Sequence, residues 1–508
     1  NISKSLYIIY YKLIKNITKN FISFLQLHDL QQNIFHDILY QISSIKKGFI
    51  MHTLSEDKIK ANQVEGDINL TATRKQWQDK FLSEKSKKLL DEDSKYFFHQ
   101  ALSSPCLDPI KKVDGIYIYD EDGRKIMDFH GNSVHQLGYN NPYLLQALQT
   151  QLQTLSFSPR RYSNQIATKL AKRLTTLAGG NRRVLFTPSG TASIGVALKM
   201  VRRAKGKFKT LSLWNSFHGA GLDAISVGGE YHFRNNIGPL LPGAEHFLPY
   251  NSYRCIFGDC SNCNLKCLDY LEYICKCEGD IGAILMEPIR CTDVQIPTKE
   301  YYQRLRSICD TYDIALIFDE IPTAFGRTGK MFAYQNYDIE PDILVVGKGL
   351  GGSLYPLSAV IGKEEFNISQ DISLGHYTHE KSPLGCAIGN AVIEYIENNN
   401  ILSHVKELET ILYTRTKEMK AKFECIGDVR LIGALLGIEL VKNRQTKEKA
   451  TIEAEKVLYL CLEQGLSFKI SQGCVLTLAP PLIISPEELN LAMDKLEYAL
   501  KQVFRYNI

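Results

Sequence analysis

ILVVGKGLGG, residues 343–352, places Lys348 directly behind a run of apolar residues and ahead of Gly349, Gly351 and Gly352. Four apolar residues followed by glycines read as a buried strand that stops in a tight turn. Residues 315–329, ALIFDEIPTAFGRTG, repeat the design with a second apolar run that ends in Asp319. Working outward, VLFTP (184–188), TLSLW (210–214) and IGAILMEP (281–288) are further short apolar runs, each separated from the next by a helical stretch. Strands alternating with helices between residues 183 and 362 predict an α/β domain built on a mostly parallel sheet. The tail alternates short strands (LLGIEL, VLTLAPPL) with helices, which predicts a smaller α+β domain. Helices are expected over 141–155, 383–398 and 402–423, and a hairpin over 115–129 around Asp122 and Gly123.

Burial at a strand end strips water from Lys348 and favours the neutral amine, the form that attacks as a nucleophile. The small residues after it leave room for a flat cofactor. VLFTPSGTASIGVALKMVRR, residues 184–203, reads as strand, Ser-Gly-Thr turn and helix. N–H groups at a helix start, with the helix dipole, bind phosphate. A nucleophilic lysine, a strand-end aspartate and a phosphate-binding turn together suit pyridoxal 5'-phosphate, with Lys348 as the Schiff-base lysine and Asp319 on the pyridinium nitrogen.

Over roughly residues 111–500 the chain resembles the class III aminotransferases, within the fold-type I pyridoxal-phosphate enzymes. The resemblance implies a large domain with a mostly parallel seven-stranded sheet and a smaller α+β domain. It assigns catalysis to Lys348 and Asp319, the phosphate cup to Ser189, Gly190 and Thr191, and the ring to Phe217 and His218 (WNSFHG) and Glu287. It also implies a homodimer with shared active sites, because a threonine at the position of Thr378 (GHYTHEKSP) reaches the partner's phosphate in the family. Three departures stand out: Ala192, Gly195 and Val196 replace acidic and small residues after the cup, Pro322 replaces a glutamine, and Thr477 stands where carboxylate-handling members carry an arginine. The expected activity is transamination of a primary amine or amino acid. In its SGTAS, FHGAGLDAISVGGE and GHYTHEK segments the chain is also similar to hydroxy-aminoethylphosphonate ammonia-lyases, which makes elimination of ammonia from such an amino alcohol the alternative. Arg160, Arg161, Arg290 and Lys381 are the cations proposed for the substrate, since paired arginines suit a doubly charged phosphonate.

Composition narrows the rest. The net charge of +5 over 508 residues is concentrated in residues 1–50, which hold six lysines and two aspartates and no methionine. That segment is read as an extension upstream of a start at Met51, followed by an N-terminal arm over 51–110, the large domain over 111–370 and the small domain over 371–508. The near-neutral remainder argues against a nucleic-acid partner, and no apolar run approaches the ~20 residues of a membrane span. Thirteen cysteines in a chain this long do not form a secreted disulfide framework, so a reducing, cytoplasmic location is expected. Six of them crowd into an insertion at 255–277 (CIFGDCSNCNLKCLDYLEYICKC), where Cys255, Cys260, Cys263 and Cys267 have the spacing of a structural zinc site. The alternative is that these thiols are small buried hydrophobes.

Overall fold

The strands occur in chain order as β1 (Ile110–Asp114), β2 (Tyr117–Asp120), β3 (Lys125–Asp128), β4 (Arg182–Thr187), β5 (Lys209–Leu213), β6 (Ala244–Phe247), β7 (Ile281–Met286) and β8 (Ala315–Asp319). They continue as β9 (Ile343–Val346), β10 (Ser358–Lys363), β11 (Ile426–Ile432), β12 (Leu435–Asn443), β13 (Glu448–Lys449), β14 (Leu466–Ser467), β15 (Lys469–Ser471) and β16 (Val475–Leu478). This computed structural model describes residues 71–101, 103–258 and 260–505, which belong to one compact unit. The expected extension at 1–50 and the first part of the arm lie outside the described residues.

The central sheet has seven strands in the order β4-β10-β9-β8-β7-β5-β6. β5 through β9 pair in parallel, and β10 alone runs antiparallel, between β9 and β4. Every residue of β7, β8 and β9 is buried, as a parallel sheet covered on both faces requires. Alternation then sorts their side chains. Leu285, Ala315, Ile317, Ile343 and Val345 pack under the helix Gly190–Lys205, whereas Met286, Leu316, Phe318, Leu344 and Val346 face the main core on the other side.

A second sheet, β11-β12-β16-β15 with β13 paired to β12, forms the C-terminal α+β region. A third joins the hairpin strands β1, β2 and β3 to β14. Residues 110–128, expected from sequence to belong with the large domain, are therefore bonded in a sheet to the C-terminal part of the chain. The helices Pro142–Thr154, Pro383–Asn398 and Ile401–Lys422 lie within a residue or so of the expected spans. Among the described residues no helix is long and apolar enough to cross a membrane.

Arg327, fully buried in the loop after β8, donates through Nη1 to the carbonyls of Ala434 (2.9 Å) and Pro480 (2.6 Å). It thereby pins the central sheet's loop to the C-terminal sheet. Gly433 completes this contact. Its φ is +54°, and a Cβ there would lie 2.5 Å from the Arg327 carbonyl oxygen.

Candidate active site

Parallel strands deliver their carboxyl ends to one edge, and ligands bind there in open α/β sheets. β4 ends into Ser189, β5 into Phe217 and His218, β7 into Glu287, β8 in Asp319 and β9 into Lys348. All of these line a single cavity of about 870 Å³.

The end expected to hold phosphate is shaped by hydroxyls and close approaches. Ser189 caps the helix Gly190–Lys205, its side chain accepting from the Ala192 N–H at 3.2 Å. Thr191 Oγ1 accepts the Ala220 N–H at 3.3 Å. Gly219 makes that contact feasible: its φ is +128°, and a Cβ there would stand 3.0 Å from Thr191 Cα. Below the turn, Ser193 Oγ lies 2.7 Å from Thr187 Oγ1 and 2.8 Å from Ser358 Oγ, a buried hydroxyl chain that ties β4, the helix and β10 together.

The end expected to hold the cofactor ring is lined by buried carboxyl groups. His218 Nδ1 lies 2.8 Å from Asp319 Oδ2, both side chains buried. A carboxylate only accepts, so Nδ1 carries the proton, and Nε2 of His218 has no hydrogen-bond partner. Asp319 Oδ1 accepts the Ile321 N–H at 3.0 Å, which fixes the carboxylate plane. Burial, and then the Asp319 charge, push the Glu287 carboxyl up to about 7, although its Oε2 accepts the Cys291 N–H at 3.0 Å. Glu320 points away from the cavity and accepts the Ala333 and Tyr334 N–H groups at 2.6 and 2.7 Å, while burial pushes it up to about 8. Lys348 itself sits at φ +43°, in the left-handed region that costs a non-glycine residue of order 1–3 kcal/mol and marks functional sites. Gly349 behind it lets Gln136 approach, since a Cβ there would be 2.3 Å from Gln136 Oε1.

The substrate-end cations expected from sequence are placed elsewhere. Arg290 is buried against Asp293, with its Nε 2.5 Å from Oδ1 and its Nη2 on the other carboxylate oxygen, so it turns into the protein. Arg160 is exposed with Nη2 2.5 Å from His376 Nε2, and Arg161, Lys381 and Thr378 are likewise exposed. None of these five residues lines the cavity formed by this chain. The cavity's own contributors at that end are Arg74, His130, Cys291 and Lys469, none of which a motif had marked. Arg74 comes from the N-terminal helix Ala72–Phe81, remote in sequence from every motif, and Lys469 comes from β15, just ahead of the VLTLAPPL stretch. Only the register of β15 on β16 marks Lys469: it pairs directly with Thr477. The hydroxyl of Thr477 donates to the Thr292 carbonyl at 2.7 Å.

The donor set fits pyridoxal phosphate: a cavity-lining amine, a buried carboxylate on a neighbouring strand and a capped helix start share one chamber. The sequence profile of aminotransferase class-III matches residues 99–500. The chain belongs to the class III aminotransferase family. It is 48% identical over 455 residues to the (R)-1-hydroxy-2-aminoethylphosphonate ammonia-lyase of Vibrio splendidus, covering 86% of this chain and 95% of that one. It is 34% identical over 405 residues to the leucine/methionine racemase of Thermococcus litoralis, covering 77% and 90%. The taurine:2-oxoglutarate aminotransferase of Bifidobacterium kashiwanohense, solved with PLP and glutamate, superposes with a TM-score of 0.77 at 30% identity, over 83% of this chain and 99% of that one. The protein is thus a fold-type I, pyridoxal-phosphate-dependent enzyme, as the sequence motifs led us to expect.

Folding raises Glu287 and Glu320 above their ordinary value of 4.5. Between that pH and about 8 the folded chain keeps protons that the unfolded chain has released. Stability is therefore greatest below the window and falls as pH rises through it, by ~1.4 kcal/mol for each pH unit over which one such proton is held only in the folded chain. Urea unfolding of the cofactor-free protein across this range should show that decline, and Glu287→Gln should flatten its lower part. An unchanged slope in the variant would place the titration elsewhere.

Proposed function

We propose that the protein is a pyridoxal-phosphate-dependent ammonia-lyase for a hydroxy-aminoethylphosphonate-type amino alcohol. This reverses the order of the two reactions expected from the sequence. The observation that carries it is the exchange across the β15–β16 pair: Thr477 occupies the position of the carboxylate-binding arginine, and its strand partner Lys469 lines the cavity instead. An amino alcohol phosphonate has no α-carboxylate and needs no bidentate arginine there, but its doubly negative head calls for cations, and Lys469 and Arg74 line the cavity, Arg74 with one Nη on the Pro105 carbonyl at 2.9 Å. The 48% identity to the Vibrio enzyme supports the same reading.

When bound, pyridoxal phosphate supplies an electron sink for the carbon that carries the substrate amine. Lys348 is the residue placed to hold and move the proton of that carbon. Asp319, held by His218 and the Ile321 N–H, keeps a fixed negative charge at the ring end. Overall the amino alcohol loses NH3 and becomes an aldehyde. The hydroxyl that leaves the neighbouring carbon as water is balanced by the water that hydrolyses the carbon–nitrogen bond. Transamination is the second reading, favoured by the solved neighbour's activity and by a lysine and aspartate that serve either reaction.

Holoenzyme given (R)-1-hydroxy-2-aminoethylphosphonate without any keto acid should release ammonia over many turnovers with the cofactor still in its aldehyde form, and Lys348→Ala should lose both turnover and the visible cofactor band. Accumulation of pyridoxamine phosphate without ammonia would replace the lyase with a transaminase.

Lys469→Gln should raise KM for the phosphonate by roughly 10- to 100-fold with a smaller change in kcat, the signature of lost ground-state binding. An unchanged KM would remove Lys469 from recognition.

We also propose a homodimer in which the exposed Thr378 reaches the partner's phosphate. Mixing separately inactive Lys348→Ala and Thr378→Ala chains should then restore activity, and no recovery in verified mixed dimers would refute the sharing.

A further inference from the structure

We propose that Cys255, Cys260 and Cys263, with Cys267 as fourth ligand, form a structural zinc site that braces the connection between β6 and β7. Nothing in it depends on the reaction catalysed. The thiol sulfurs of Cys255, Cys260 and Cys263 lie within 4.8 Å of one another, the only such group of cysteine, histidine or acidic side chains among the described residues. Thiolates at ~2.3 Å from a tetrahedral zinc stand roughly 3.8 Å apart, so closing the trio on an ion takes only side-chain rotation. Cys267 is buried and lines the same small pocket, beside Tyr250 and Arg254.

The backbone between these thiols is tightly turned: the Lys266 N–H donates to the Cys263 carbonyl at 3.2 Å and the Leu268 N–H to the Leu265 carbonyl at 2.8 Å. The helix Lys266–Glu278 therefore starts between Cys263 and Cys267 and brings the positive end of its dipole to them. That helix has no side-chain N-cap, and its flanking Leu265 takes a left-handed φ of +58°. Cys267 belongs to the main core and the partly buried Cys260 packs against it, so the cluster is seated on the core that also holds Cys386 and Cys461. All thirteen cysteines are free thiols, so no disulfide competes for these four.

The approach to the cluster is anchored at Arg254, which pairs with Glu439 at 2.5 Å, but it has little regular structure after that point. Between β6 and the helix the described backbone has a single 3-10 turn, Cys260–Asn262, and Ile256 is 71% exposed. A closed four-thiolate site contributes folding free energy directly in such segments, and here it would fix the helix that precedes β7.

The test is the metal content of holoenzyme purified under reducing conditions and passed through a chelating column. About one zinc per chain is expected, released by a mercurial that titrates thiols, and cobalt substitution should give a sulfur-to-cobalt charge-transfer band. Cys260→Ser and Cys263→Ser should each lose most of the zinc, Cys267→Ser should weaken its retention, and exposed Cys277→Ser should leave it unchanged. Zinc well below one per chain in the unmodified protein would overturn the site even if the variants fail to fold. Full retention in Cys267→Ser would overturn the fourth ligand.

Discussion

The parallel register of β5, β7, β8 and β9 is the constraint on which the site depends. Asp319 pairs level with Val345, and Met286 with Phe318, so the residues that follow each strand emerge together on one edge. No single motif has to reach far. His218, Glu287, Asp319 and Lys348 are each within a few residues of a strand end, and the sheet supplies the spacing. The apolar runs that bury both faces of the sheet therefore also position the chemistry.

Dryness follows from the same burial. A carboxylate costs little in water and a great deal inside a protein, and this chain handles its inner carboxylates in two ways. Asp319 has a ring N–H and a backbone N–H as donors. Glu287 has one backbone donor and a neighbouring negative charge, and it is pushed towards the neutral acid. One edge of the sheet thus holds a carboxylate with two donors beside one raised to about 7.

At the substrate end, sequence spacing misled in a definite way. Arg290 follows Glu287 closely and reads as a neighbour of the site, yet its guanidinium has a better partner in Asp293 three residues on. A buried arginine with a bidentate carboxylate is not available to a ligand. Lys469 shows no motif, and it enters the cavity only because β15 folds antiparallel onto β16 and sets it opposite Thr477. The pairing sets a lysine on the strand beside the position where carboxylate-handling members carry an arginine.

Legible in the sequence alone were five central strands, the lysine and aspartate at strand ends, the capped Ser-Gly-Thr turn and the family, because each is a local pattern: an apolar run, a glycine turn or a capped helix. Five of the seven central strands and the helices at 142–154, 383–398 and 401–422 followed from such patterns directly, while the count of seven strands came from the family resemblance. Only the tertiary structure decided which cations face the cavity, that the 110–128 strands join β14, that His218 orients Asp319, and that three cysteine sulfurs converge within 4.8 Å. The physical reason is separation along the chain. His218 meets Asp319 across 101 residues, and Arg74 and Lys469 reach the cavity from opposite ends of the described chain. Side-chain direction over such separations is set by strand register and packing, which no local spacing encodes.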